Sequence, residues 1–297
     1  MEQLYIVDVF AEKRFGGNPL AVVVHDSPLT DDVMACVARE MAYSETTFVR
    51  SSEISDRQAK VRIFTPAREI PFAGHPVLGT AFVLREFFGV GAGEREVVLE
   101  VPIGRVRVTV EEAAGGDSLW WMEQRLACIG AEVERGKAAQ AVSLRARDLA
   151  PGRPVLSVST GFPFYVVPAA GVDELLRARI EPGAFNRLVE GGETQAVLVY
   201  APLEAGAVEM RVFAPRHGIA EDPATGSAAG CLGFYLLREG LWCTAGSGGL
   251  LRIEQGRLVG RPSVIYVRCC GGGGGMLEVG GLVQAVARGE FMGGLST

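Results

Sequence analysis

Residues 61–66 read VRIFTP, and residues 210–215 read MRVFAP. Arg62 matches Arg211, Phe64 matches Phe213 and Pro66 matches Pro215, all at an offset of 149. Further along, Gly74-His75 matches Gly226-Ser227 at an offset of 152, as does Gly104-Arg105-Val106 against Gly256-Arg257-Leu258. Three extra residues of the second copy therefore fall in the loop between the strand and the glycine. A weaker echo pairs Gly17-Asn18-Pro19 with Gly161-Phe162-Pro163. Repeat periods of roughly 20–50 residues indicate solenoids and arrays. A period near half of a 297-residue chain indicates one domain used twice.

Each copy reads as a mostly antiparallel sheet curled, barrel-like, around one buried helix, an α+β fold. In the first copy, strands are expected at Leu4–Phe10, Leu20–Val24, Thr46–Val49, Ala59–Phe64, Glu96–Val101 and Val106–Val110, rich in β-branched residues. Thr30 caps a helix that carries Asp31 and Asp32 in its first turn and Val33, Met34, Val37, Ala38 and Met41 at helical spacing. In the second copy the same reading gives strands near 155–159, 164–167, 195–200, 208–213, 250–254 and 263–268, with a helix near 173–180. The helices at 76–88 and 227–238 are apolar nearly all round, which places them centrally. The first lobe is expected over 1–125, with room for the segment at about 283–297 to return to it, and the second over 126–282.

Composition narrows the function classes. Hydrophobic residues make up 48% and charged residues 22%, enough for a sizeable core. Mean hydropathy is +0.22, yet the longest nearly apolar stretch, Ser227–Leu237, falls short of the roughly 20 residues of a spanning helix. No membrane partner is expected. A net charge of −6 argues against nucleic acid as a partner, since phosphate contacts need a basic face. The N-terminus lacks signal-peptide character. The six cysteines (Cys36, Cys128, Cys231, Cys243, Cys269 and Cys270) form no C-x-x-C pair and read as reduced, mostly structural thiols of a cytoplasmic protein. Cys36, Cys231 and Cys243 lie on or next to helices and read as core. His25, His75 and His217 are scattered, so no metal site is expected. The run Gly271–Gly275 reads as a flexible loop, with no strand–turn–helix frame for a dinucleotide.

Two loops carry the chemistry. Ile70-Pro71-Phe72-Ala73-Gly74-His75-Pro76 and Glu221-Asp222-Pro223-Ala224-Thr225-Gly226-Ser227 each lead into the N-terminus of a buried helix. Such a terminus presents backbone N–H groups and a partial positive charge, which suits a carboxylate. Facing each other across a cleft between lobes, the two would hold a small carboxylate. Taken singly, each loop reads equally well as an ordinary glycine-containing cap.

These pieces also carry a family resemblance. The segments FGGNPLAVV (15–23), SETTFV (44–49), RIFTPAREIPFAGHPVLGTAFVL (62–84), RVFAPRHGIAEDPATGSAAGCLGFYLL (211–237), QGRLVGRPS (255–263) and VGGLVQAVARGE (279–290) resemble the PhzF-like proteins, which share the diaminopimelate epimerase fold. The resemblance spans nearly the whole chain and implies a cofactor-independent isomerase. Family members are often dimeric, which leaves room for a homodimer.

Residue by residue, the bland and the implied readings differ. Glu45 alone reads as a solvated loop acid; the resemblance makes it the general base and acid, with desolvation suited to raising its pKa. His75 alone reads as a hydrogen-bonded histidine held neutral by the helix dipole; the resemblance places it against substrate. Asp222 is a turn former before Pro223 or, by resemblance, a carboxylate gripping a substrate amine or hydroxyl. Ser227 begins a helix or binds the substrate carboxylate. Gly74 and Gly226 would donate backbone N–H groups, and Asn18 and Ser44 are weaker binding candidates. An offset of 150 sets Gln195 opposite Glu45 and Thr194 opposite Ser44, so one proton carrier is expected rather than a symmetric pair.

The related diaminopimelate epimerases and proline racemases use two thiols, one on each loop. Phe72-Ala73-Gly74 and Ala224-Thr225-Gly226 contain no cysteine, which disfavours that chemistry. A non-catalytic binding or interaction protein that kept the cleft is the competing reading. A nucleotide or nicotinamide enzyme ranks lower, because the chain has no Walker A segment, no well-placed G-x-G-x-x-G and no nucleophile elbow.

Overall fold

The computed structural model describes residues 2–112, 116–124, 126–242, 249–270 and 276–295. Cys243 and the Gly271–Gly275 run lie outside the described residues. The chain divides into two compact units, Met1–Glu123 with Gly280–Thr297, and Gln124–Val279.

In the first unit, β1 (Glu2–Val9) and β2 (Asn18–His25) form an antiparallel pair. Helix α1 (Asp31–Met41) then carries the chain to β3 (Thr46–Ile54), which lies parallel to β2. Parallel neighbours need a crossover, and α1 supplies it. Thr30 caps it, its Oγ1 accepting the Val33 N–H at 3.3 Å. Its stripe of Met34, Val37 and Ala38 packs on Val23, Leu29, Phe48 and Phe64. Removing such a side chain from water contributes about 1.5–3 kcal/mol.

Strand β4 (Gln58–Phe64) returns antiparallel to β3, and the short β5 (Glu69–Ile70) folds back on β4. The second crossover is α2 (Gly74–Phe88), after which β6 (Glu96–Val101) joins β4 in parallel. A meander of β7 (Gly104–Glu112) and β8 (Ser118–Gln124) follows. Val77, Leu78, Ala81 and Leu84 of α2 are fully buried. At Gly79 a Cβ would stand 2.6 Å from the Leu20 side chain and 2.8 Å from Val9, so the strands approach the helix backbone directly.

The second unit repeats this order with additions. It contains β9 (Cys128–Val133), α3 (Arg135–Ala141), β10 (Val155–Ser159), β11 (Pro163–Pro168), α4 (Val172–Arg177), α5 (Pro182–Val189) and β12 (Ala196–Pro202). Then come β13 (Val208–Ala214), β14 (Ile219–Asp222), α6 (Gly226–Arg238), β15 (Leu250–Gln255), β16 (Ser263–Cys270) and β17 (Met276–Glu290). The pairings match the first unit: β11–β12 and β13–β15 are parallel, each after a helical crossover, whereas β10–β11, β12–β13 and β15–β16 are antiparallel. Helix α6 is buried along its length. Strand β17 pairs with both β1 and β8, which closes the strands of the first unit into a barrel around α2.

Three expectations are corrected. Cys36 is exposed, on the outer side of α1 rather than in a core, and Cys128 is exposed too, whereas Cys231 is buried and Cys269 half-buried. The echo of Gly104-Arg105-Val106 in Gly256-Arg257-Leu258 falls at the corresponding hairpin but out of register, because Glu100 lies beside Lys60 and Glu254 beside Glu209, which maps β6 onto β15 with an offset of 154. The offset between Glu45 and Gln195 is wrong by one residue. Phe48 lies opposite Arg62 and Val199 opposite Arg211, so β3 maps onto β12 with an offset of 151. The parallel ladders agree: Ala21 faces Thr46 and Tyr165 faces Val197, which again gives 151. The counterpart of Glu45 is therefore Ala196, and Gln195 corresponds to Ser44.

Candidate functional site

In the first unit the site is built at the start of α2. The N-cap, Ala73, has no side-chain oxygen and so makes no side-chain cap hydrogen bond to the first turn of the helix. His75 is the second helical residue and is only 7% exposed. Burial pushes its imidazole down to about 3, so it is neutral at physiological pH. Its Nε2 lies 3.5 Å from Oε2 of Glu45, whose side chain is 12% exposed. With a neutral imidazole this contact is not an ion pair. It is a carboxyl group beside an uncharged ring nitrogen, spaced so that a small closure would form a hydrogen bond.

Glu45 gets there because α1 stops at Met41 and Ala42 takes a left-handed conformation, φ 54°. The bend through Ser44 delivers Glu45 just before β3 begins at Thr46. Behind it, Thr47 Oγ1 and Thr80 Oγ1 share a hydrogen bond of 2.8 Å, tying β3 to α2. The two elements that carry Glu45 and His75 are thus fastened one turn away from the pair. Ser44 is half-buried. Asn18 is buried at the start of β2, opposite Val9.

In the second unit, Asp222 ends β14 and is 8% exposed. The Thr225 hydroxyl donates to Asp222 Oδ2. Thr225 is the N-cap of α6 but does not cap with its side chain. Gly226 is buried and Ser227 half-buried in the first turn. The Ser227 carbonyl accepts a hydrogen bond from Thr160 at 3.4 Å. The sequence reading missed Gln255, which is 2% exposed and binds this loop at three points. Its Nε2 donates to the Asp222 carbonyl at 2.7 Å and to Thr225 Oγ1 at 3.1 Å, and its Oε1 accepts the Thr225 N–H at 3.0 Å. The signal in the sequence was alternation: Gln255 falls on the inward face of β15 with Leu251 and Ile253.

The loops share a deeper frame. Arg62 holds Glu69 through two hydrogen bonds of 2.8 and 2.6 Å and lies 5.1 Å over the Phe64 ring. Arg211 holds Glu221 at 2.9 and 2.7 Å and lies 4.9 Å over Phe213. Gln195 is not a site residue in this frame: its amide donates to the carbonyls of Val189 and Gly192.

Among the described residues, no helix is long and apolar enough to cross a membrane. The chain matches the family model described as "Phenazine biosynthesis-like protein" over residues 7–279. It is 33% identical over 293 residues to the trans-2,3-dihydro-3-hydroxyanthranilate isomerase of Pseudomonas aeruginosa, covering 98% of this chain and 99% of that one. A solved structure described as a predicted epimerase from the same organism is 35% identical, covers 99% of this chain and 100% of its own, and superimposes with a TM-score of 0.81. A PhzF-family structure from Bacillus anthracis shares the fold at 23% identity, with a TM-score of 0.83 over 98% and 99% of the two chains. The fold is diaminopimelate epimerase-like, and the chain belongs to the phenazine biosynthesis-like protein family.

Proposed function

We propose that this protein is a cofactor-independent isomerase that moves a proton within a small carboxylate, with Glu45 as the proton carrier. The observation that carries the reading is the Glu45–His75 pair: a largely buried carboxyl group 3.5 Å from an imidazole that burial keeps neutral. As a carboxylate, Glu45 takes a proton from a C–H bond beside a double bond. The electron pair left behind shifts the double bond, and the carboxyl group returns the proton to a different carbon. Substrate and product then have the same atoms, and no oxidant or reductant is needed. A neutral His75 can donate to the substrate or to Glu45 without a competing positive charge.

The remaining assignments follow the family resemblance. Asp222 grips an amine or hydroxyl, Ser227 and the N–H of Gly226 bind the carboxylate, Gly74 donates a backbone N–H, and Asn18 and Ser44 assist. The relatives' named activity makes an amino- and hydroxyl-substituted cyclic carboxylate the substrate class of choice.

The test is proton exchange. With trans-2,3-dihydro-3-hydroxyanthranilate in heavy water, the expected outcome is isomerisation with deuterium incorporation, followed by mass spectrometry. A screen of cyclic carboxylates in which no compound exchanges would favour the competing reading, a binding protein that kept the site frame.

A further inference from the structure

We infer that Gln255 and Thr225 are positioning residues that fix which oxygen of Asp222 faces a ligand, a deepening of the proposed isomerase reading on which it rests. The hydrogen bonds of Gln255 and Thr225 decide the direction of the protons on those two side chains. The Gln255 amide nitrogen donates to Thr225 Oγ1 at 3.1 Å, so that oxygen is an acceptor there. A hydroxyl has one hydrogen to give, and the Thr225 hydroxyl gives it to Asp222 Oδ2. The second amide hydrogen of Gln255 goes to the Asp222 backbone carbonyl at 2.7 Å, and its Oε1 takes the Thr225 N–H at 3.0 Å. Reversing any one of these bonds would leave a buried donor or acceptor without a partner, which costs about 1–3 kcal/mol. The cluster is therefore polarised one way, from Gln255 through Thr225 into the carboxylate.

The backbone around Gln255 is held with the same closeness. Gly256 has φ 80°, and a Cβ there would stand 2.5 Å from the Pro223 carbonyl and 2.2 Å from that of Arg261. The turn after β15 thus packs directly on the Pro223-Ala224 peptide, one residue beyond Asp222. On the other flank, Arg211 grips Glu221, the neighbour of Asp222. The equivalent first-unit loop has Ile70 where Asp222 stands and Ala73 where Thr225 stands. The relay is present only where the loop carries a carboxylate to be aimed, which a purely structural brace would not require.

The experiment compares Gln255→Glu, Thr225→Val and Thr225→Ser with the unmodified chain. A carboxylate at 255 only accepts, so it draws the Thr225 hydroxyl away from Asp222. The expected result is a fall in kcat of about 10–100-fold for Gln255→Glu and Thr225→Val, because misaimed groups lose orientation. Thr225→Ser keeps the hydroxyl and is expected to restore kcat to within about threefold of the unmodified protein. A lower Tm with unchanged kcat and KM in the folded fraction would overturn the assignment. Activity is read with trans-2,3-dihydro-3-hydroxyanthranilate beside a Glu45→Gln control, so a failure of the isomerase reading shows as no turnover by the unmodified chain or as full turnover by that control. A readout independent of turnover is the crystal structure of Gln255→Glu: a rotated Asp222 carboxylate supports the relay, and one that keeps its place overturns it.

Discussion

The loop over Glu69–His75 and the loop over Glu221–Ser227 are two versions of one design. Both hang from an arginine that pairs with a glutamate and stacks on a phenylalanine two residues along its strand. Both enter a buried helix through a glycine. The frame is shared, and the polar groups are not. The first unit places Glu45 and His75 together, whereas the second places Asp222 under Thr225 and Gln255. Where Glu45 stands in the first copy, the register sets Ala196 in the second. Duplication has thus kept the parts that shape the backbone, while the polar groups set on that frame differ between the copies.

The sharpest way to break this comparison is to remove the carboxyl group proposed as the proton carrier. Glu45→Gln keeps the shape and is expected to lower the rate of solvent deuterium incorporation by about 10³-fold, within the range general acid–base groups supply. Glu45→Asp retains a carboxyl group but withdraws it by one methylene, and a smaller loss of about 10²-fold is expected. Retained exchange in Glu45→Gln would move the proton carrier elsewhere.

The shared frame can be stressed next. Arg211 is 8% exposed and also holds the carbonyls of Leu175, Leu176 and Ala178 at the end of α4, where a cation complements the helix dipole. Arg62 is 30% exposed, and its extra partner is Asp31 in the first turn of α1. Arg211→Ala leaves Glu221 and three carbonyls without their donor, and is expected to cost about 3–5 kcal/mol in urea unfolding. Arg62→Ala is expected to cost about 1 kcal/mol, because water replaces much of what is lost. Equal losses would mean that the burial difference between the two copies has no energetic weight.

The frame was legible in the sequence for a physical reason. Arg62, Phe64 and Gly74 recur as Arg211, Phe213 and Gly226 because a stacked, bidentate arginine and a close helix entry tolerate few substitutes. The buried helices were legible as apolar runs. Strands β8 and β9 and helices α3 and α5 were not, since they lie where the copies share no motif and periodicity alone had to serve. The pairing of Glu45 with Gln195 failed because an offset of 150 interpolates between 149 and 152, while strand register is fixed by ladders that sequence spacing does not reveal. Gln255 went unnoticed because a polar residue ending an apolar strand looks like an exit to solvent until its three partners are known. Cys36 misled because a small sulfur residue in a helix is more often buried than exposed.

His75 sharpens the comparison by pH. Its folded-state value, about 3, lies below the ordinary histidine value near 6.5. The unfolded chain therefore takes up a proton below about pH 6.5 that the folded chain refuses until about pH 3. Stability is lost as pH falls through that window, by up to about 1.4 kcal/mol per pH unit from this residue. His75→Gln is expected to flatten that part of the curve in urea titrations between pH 7 and pH 4. Its counterpart Ser227 has no such group, so Ser227→Ala should leave the slope as it was.

The smallest effect tests whether the second copy has any remnant of a proton carrier. Gln195 is the counterpart of Ser44, and its amide closes the turn after α5 on the carbonyls of Val189 and Gly192. Gln195→Ala removes both bonds from a half-buried site, where net hydrogen-bond contributions are about 1 kcal/mol. A loss of about that size in unfolding free energy is expected, with deuterium exchange unchanged. If exchange fell with stability intact, Gln195 would act on the reaction, and the division of labour between the copies would have to be redrawn. If stability falls alone, the amide is a turn brace, in keeping with the ladder register that sets Gln195 opposite Ser44 and not opposite Glu45.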